Sequence, residues 1–153
     1  MPLSKELSEF VALLNSNEVE YLVFGPFTVA YHGYPRYTGD LDLLVRASEQ
    51  NAERLLRALS EFGFGALGIT KGDLLSPDNV IQLGVQPNWI DIVSSISGVG
   101  FDDAWATRQE GNLDGLLVKF IGRDALIQNK RATGRARDQG DAEELSKRRD
   151  PGP

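Results

Sequence analysis

The sequence predicts an α/β (α+β) chain: a mixed β-sheet with helices packed on it and a helical pair near the C-terminus. Three observations lead there. Stretches with apolar residues at helical spacing are interleaved with short runs rich in β-branched and aromatic residues. Two of those runs, 79–85 and 89–94, flank Gln86-Pro87-Asn88, which has hairpin character, so antiparallel pairing is expected somewhere in the sheet. Hydrophobic residues make up 41% of the 153 residues, enough for a core and suited to one domain.

The elements follow in order. Ser4 can cap a first helix, with Leu3 as a staple residue, and Leu7, Phe10, Val11, Leu13 and Leu14 recur at helical spacing before the helix ends near 15–17. Tyr21-Leu22-Val23-Phe24 reads as a buried strand. Gly25-Pro26 ends it, and Pro26 suits the first turn of a short helix over 27–32, stopped at Gly33. Residues 34–39 form a turn or loop, 40–45 a strand, and 47–62 a helix with Ala52, Leu55, Leu56, Leu59 and Phe62 on one face. The segment 63–69 is broken by glycines and fits either strand or loop; 71–75 fits one helical turn. A short helix over 101–108 turns Phe101, Ala104 and Trp105 inward, 115–120 is a strand, and 124–133 and 138–148 are helices around a turn at Gly134. The expected organisation is a single domain over 1–148, its helical pair at about 122–148, with 149–153 as a flexible tail.

Composition excludes several classes. There is no cysteine, hence no disulfide scaffold and no thiolate metal site. The N-terminus lacks a basic n-region followed by an apolar stretch, and no apolar run approaches the ~18 residues of a membrane span, so a soluble cytoplasmic protein is expected. Net charge is −6, yet eight of the 16 basic residues (Arg123, Lys130, Arg131, Arg135, Arg137, Lys147, Arg148 and Arg149) crowd into the last helices against five acids. That stretch reads either as solvated helix faces or as a surface that meets phosphates.

The most unusual local feature is Gly39-Asp40-Leu41-Asp42-Leu43-Leu44-Val45. Aspartate is disfavoured inside strands, yet Asp40 and Asp42 stand two apart and so point to one face, with Leu41 and Leu43 on the other. Close carboxylates repel unless a cation lies between them, and hard divalent cations favour their oxygens. Asp91 interrupts a second apolar strand, Trp89-Ile90-Asp91-Ile92-Val93. If the two strands are neighbours, three acids form a cluster able to hold two metals, the usual clamp for in-line attack at phosphorus. The bland alternative is a set of solvated strand-end acids.

Here the residues resemble the nucleotidyltransferase superfamily, which shares its fold with DNA polymerase β. That family runs from an apolar strand to a Gly-Gly or Gly-Ser turn, a short helix, an Asp-apolar-Asp pair and a later lone Asp. The counterparts are Leu22-Val23-Phe24-Gly25, Asp40-Leu41-Asp42 and Asp91. The stretch 29–42, then Gln82-Leu83-Gly84, Pro87, Ile90-Asp91, Gly98, Phe101, Ala104-Trp105, Lys130-Arg131, Arg135, Asp138 and Asp141 is similar to a narrower branch, the AbiEii-type toxins and other minimal nucleotidyltransferases. The likeness covers roughly residues 20–146.

The resemblance implies Mg²⁺ or Mn²⁺ on Asp40, Asp42 and Asp91, with Asp91 helping to deprotonate the attacking hydroxyl. It implies an NTP as substrate, pyrophosphate as product, and a protein, RNA or small molecule as acceptor. A toxin–antitoxin or phage-defence setting, with a cognate antitoxin or toxin as partner and no membrane, goes with it. Lys130 and Arg135 would neutralise triphosphate charge, or else pair with Asp138 or Asp141 on the helix surface. Arg36 and Thr38 would touch phosphate or acceptor, or be loop residues in solvent. Gly25 and Gly39 serve tight turns or close ligand approach. His32 reads as a hydrogen-bonded structural residue, Trp89 and Trp105 as core, and Ser94-Ser95 lack a histidine base.

Pro26 departs from the family pattern. A residue with an N–H or hydroxyl normally follows the first glycine, and proline has neither. One such bond to a charged group is worth roughly 1.5–3 kcal/mol, or about ten- to a hundredfold in nucleotide affinity. The expected function is therefore a metal-dependent nucleotidyltransferase, or alternatively a weakened member of the fold that binds a nucleotide or partner. RNA binding through the basic helices is a third reading.

Overall fold

A computed structural model describes residues 4–33, 40–77, 79–84, 89–113 and 115–147. Strands β1 (Tyr21–Phe24), β2 (Leu41–Val45), β3 (Val80–Leu83), β4 (Ile90–Val93), β5 (Gln109–Leu113) and β6 (Leu116–Phe120) form one sheet in the order β3-β4-β2-β1-β6-β5. The sheet is mixed. β2 and β4 run parallel, as do β1 and β6, while β1–β2, β3–β4 and β5–β6 are antiparallel. The helices are α1 (Lys5–Ser16), α2 (Pro26–Tyr31), α3 (Glu49–Phe62), α4 (Lys71–Leu75), α5 (Phe101–Ala106), α6 (Arg123–Ala132) and α7 (Ala136–Ser146). None of the described helices is long and apolar enough to cross a membrane.

Alternation along the strands gives the sheet two apolar faces. On one, Leu7, Phe10, Val11 and Leu14 of α1 and Leu55 and Leu59 of α3 pack with Val23, Leu41, Leu43, Ile90 and Ile92. On the other, Leu22 and Leu44 pack with Val29, Ala104, Leu126, Ala142 and Leu145. Each fully buried aliphatic side chain contributes roughly 1.5–3 kcal/mol, so both helical layers are held chiefly by apolar burial. Caps set the helix starts: the Ser4 hydroxyl accepts from Leu7 N–H and the Ser48 hydroxyl from Asn51 N–H, both at 3.2 Å. Thr70 and Asp73 form a reciprocal capping box that accounts for α4.

Several expectations shift. α3 begins at Glu49 rather than at 47, because Ser48 is its cap. The ambiguous 63–69 contains a 3-10 turn, Gly65–Leu67. α7 begins at Ala136, so Asp138 lies in its first turn and does not cap it. Phe101 and Trp105 are only half-buried; they stack at 5.6 Å on the rim of the second core. β5 was not expected, since Gln-Glu-Gly-Asn-Leu has little strand propensity. It is an edge strand held by backbone pairing to β6, from Gln109 opposite Phe120 to Leu113 opposite Leu116. Its Gly111 makes room for Tyr31, whose ring a Cβ there would meet at 2.9 Å. The loop 34–39, the hairpin turn 86–88 and the tail 149–153 lie outside the described residues.

Candidate active site

The site is a row of side chains across the sheet. Phe24 of β1 pairs with Asp42 of β2, Asp42 with Asp91 of β4, and Asp91 with Gln82 of β3. Neighbouring strands lie about 4.8 Å apart, so the parallel β2–β4 register sets two carboxylates side by side. The two carboxyl groups are close enough to act on each other's protonation. Burial first, and then the charge of Asp91, push Asp42 up to about 7 from the ordinary 3.8; Asp40 adds to the rise and Lys130 opposes it.

Asp40 precedes β2, and its Oδ1 accepts from Trp89 N–H at 3.1 Å. The expected three-acid cluster is thus gathered in part: Asp42 and Asp91 are register partners, while Asp40 contributes through its charge. Among the described residues no group of three histidines, cysteines or acids is placed to hold a metal ion. Two carboxylates do fit a hard divalent cation that takes its remaining ligands from water and substrate phosphates, the common habit of Mg²⁺. Two acids pressed together, one kept protonated to about pH 7, are also the arrangement that a cation would relieve.

Gly25 follows β1 with φ +80°, and a Cβ there would stand 2.2 Å from Asp42 Oδ2. The glycine is required both by backbone conformation and by the approach of the carboxylate. Pro26 is the first residue of α2, with no N–H to offer. Both residues line a cleft of about 590 Å³ with Asp42, Val93, Ile96, Lys130 and Arg135. Of the expected site residues the cleft collects Gly25, Pro26, Asp42, Lys130 and Arg135; Asp40 and Asp91 stand beside Asp42 but do not line the cleft, and Arg36 and Thr38, like Gly39, lie outside the described residues.

The far wall is the α6–α7 turn. Lys130 is 8% exposed and pairs with Asp138 at 3.1 Å and Asp141 at 3.3 Å. Of the two readings weighed, pairing with Asp138 and Asp141 is what the structure has, but the Lys130 pairs are buried between the helices rather than on their surface, because Gly134 (φ +75°) folds α7 back onto α6. The Thr133 hydroxyl donates to Asp138 at 2.6 Å. Burial alone would raise Asp138, but the Thr133 and Lys130 hydrogen bonds and the charges of Lys130 and Arg135 hold it below the usual carboxylate range. Arg135, with its side chain 78% exposed, meets Asp138 at 3.5 Å.

His32 is buried and its Nε2 donates to the Ile121 carbonyl at 2.9 Å. The hydroxyls of Ser94 and Ser95 donate to the carbonyls of Ser76 and Pro77. Trp89, expected in the core, is half-buried. Sequence reasoning did not place Gln82 or Asn129 in the site. Gln82 Nε2 donates to Asp91 Oδ1 at 2.9 Å. The expected hairpin put strands 79–85 and 89–94 side by side, but the register that sets Gln82 opposite Asp91 came only with the structure. Asn129, which lines the cleft, donates to Ser97 O at 3.0 Å and ties the loop after β4 to α6; no local pattern announces a contact 32 residues long.

No protein-family model matches the sequence, and no curated protein matches it. Solved structures do match. A Thermotoga maritima protein assigned provisionally to the nucleotidyltransferases superposes with TM-score 0.62 at 18% identity, over 92% of this chain and 88% of that one. The lincosamide antibiotic adenylyltransferase LnuA, bound to lincomycin, gives 0.55 at 15% identity, over 95% and 98%. The antibiotic-resistance factor ANT(2'')-Ia gives 0.57 at 11% identity, over 92% and 80%. The chain therefore has the nucleotidyltransferase fold, a mixed six-stranded sheet with helices on both faces.

Proposed function

We propose that the protein is a metal-dependent nucleotidyltransferase, moving an NMP from an NTP to an acceptor hydroxyl with release of pyrophosphate. One observation supports this above the others: Asp42 and Asp91 stand in register on adjacent parallel strands, and Asp42 lines a cleft whose opposite wall carries Lys130 and Arg135. In this reading Asp42 and Asp91, with Asp40 beside them, hold Mg²⁺ or Mn²⁺ together with triphosphate oxygens. Bound there, the ion would offset charge on the transferred phosphoryl group and the leaving pyrophosphate.

The chain's own residues do the rest. Gly25 lets the triphosphate approach the backbone, Lys130 and Arg135 face its charge, and Arg36 and Thr38 contact phosphate or acceptor. Asp91 takes the proton of the acceptor hydroxyl. The acceptor oxygen then bonds to the α-phosphorus, the bond to the bridging oxygen breaks, and its electron pair leaves on pyrophosphate. A protein, an RNA or a small molecule can supply the hydroxyl; the third gains support from LnuA and from an ANT(2'')-Ia structure holding adenylyl-2''-tobramycin. The likeness to AbiEii-type toxins supports a cytoplasmic toxin–antitoxin or phage-defence role with a cognate antitoxin or toxin. Residues 1–148 would act as one domain.

A second reading, a weakened member that binds a nucleotide or partner, is favoured by two observations. Pro26 removes a donor from the glycine turn, and the charge of Lys130 is already balanced by Asp138 and Asp141. The deciding assay is pyrophosphate release with each of the four NTPs, Mg²⁺ or Mn²⁺ and a cell extract as acceptor source. Release that falls at least a thousandfold in Asp42→Ala, about 4 kcal/mol of barrier, is expected. Binding of Mg²⁺–NTP without release would select the second reading.

A further inference from the structure

We propose that Gln82 is a positioning residue for Asp91, setting the orientation of that carboxylate for metal binding; this rests on the proposed function. Gln82 sits on edge strand β3, directly opposite Asp91, at the outer end of the row that runs through Asp42 to Phe24. Along β3, Leu83 is buried and Ile81 half-buried, whereas Val80 and Gln82 are exposed. No packing demand therefore accounts for a long amide at this position. Its Nε2 donates to Asp91 Oδ1 at 2.9 Å, which arrests rotation of the carboxylate about its Cβ–Cγ bond.

The chemistry of the donor matters. An Arg or Lys here would form an ion pair with Asp91 and compete with a divalent cation for its charge. An apolar residue would leave the carboxylate free to turn. A neutral amide fixes orientation and leaves the full negative charge for the ion, as partners behind metal-binding carboxylates do elsewhere.

The test measures Mn²⁺ binding to the full chain by electron paramagnetic resonance, alongside melting temperature in EDTA, for wild type, Gln82→Met, Gln82→Lys, Asp91→Asn and the Gln82→Met/Asp91→Asn double variant. Gln82→Met should bind Mn²⁺ about tenfold more weakly while its melting temperature stays within about 2 °C of wild type. Gln82→Lys should weaken binding further. In the Asp91→Asn background Gln82→Met should add no further loss. Unchanged Mn²⁺ affinity in Gln82→Met, or a full tenfold loss persisting in the double variant, overturns the positioning role and leaves the proposed function standing. Wild type that binds Mn²⁺ no better than Asp91→Asn overturns the metal site itself, and this inference with it.

Discussion

The two walls of the cleft handle charge in opposite ways. On the sheet wall, backbone pairing between β2 and β4 brings two like charges together, and burial raises Asp42 to about 7. On the helix wall, the α6–α7 turn brings unlike charges together: Lys130 is buried between Asp138 and Asp141, and Thr133 completes the set. The sheet wall carries a conflict between like charges that an added cation would relieve. With Arg135 also on Asp138, the helix wall sets two cations against two acids and acts as structure first. A rigid ladder of backbone hydrogen bonds can hold an unfavourable pair in place, whereas long side chains between helices rearrange until their charges cancel.

The largest effect should come from breaking the helix wall. Lys130→Met removes the buried cation that Asp138 and Asp141 share, and unfolding free energy should drop by about 3–5 kcal/mol in urea titration. Adding Asp138→Asn and Asp141→Asn should recover most of it. A loss under about 0.5 kcal/mol would mean that the pairs behave as ordinary surface bridges.

The sheet wall should respond with the opposite sign. In EDTA, Asp42→Asn should stabilise the protein by about 1–3 kcal/mol at pH 8. The folded state raises this carboxyl, so its protonated form is favoured by folding. That contribution is full below about pH 4 and is lost as pH climbs through about 7. The advantage of the Asn variant should therefore open between those values and vanish in acid. Thermal melts across that range would show it, and a variant equally stable at pH 8 would remove the charge conflict from the account.

The smallest change expected lies between the walls. Pro26→Gly restores an N–H at the first position of α2 and should tighten nucleotide binding by about tenfold. A more flexible unfolded chain would cost about 0.4–1 kcal/mol of stability. Titration of a fluorescent NTP analogue measures the first term; unchanged affinity would show that the proline does not limit binding.

Much of the fold was legible because local signals agreed with it. Tyr21–Phe24 and Lys71–Leu75 emerge with the bounds that their residue patterns predicted, and Ser4 caps α1 as its sequence suggested. β5 was not legible, since its polar, glycine-broken segment becomes a strand only through its partner β6. The acids Asp42 and Asp91 were conspicuous as carboxylates within apolar strands. Their adjacency was conditional, because the sequence fixes the face of a strand side chain but not which strand lies next to it.

By itself, then, the sequence determined what depends on periodicity and local chemistry: mixed helices and strands, buried stripes, caps, and acids placed on one face of a strand. Only the tertiary structure decided what depends on register and on contacts between distant segments. These are the parallel β2–β4 alignment that joins Asp42 to Asp91, the turning of Asp40 toward Trp89, the burial of Lys130 between two helices, and the amide of Gln82 behind Asp91. The physical reason is range. Periodicity is written within a few residues of chain, whereas the energy of a charge depends on everything that folding brings within a few ångströms of it.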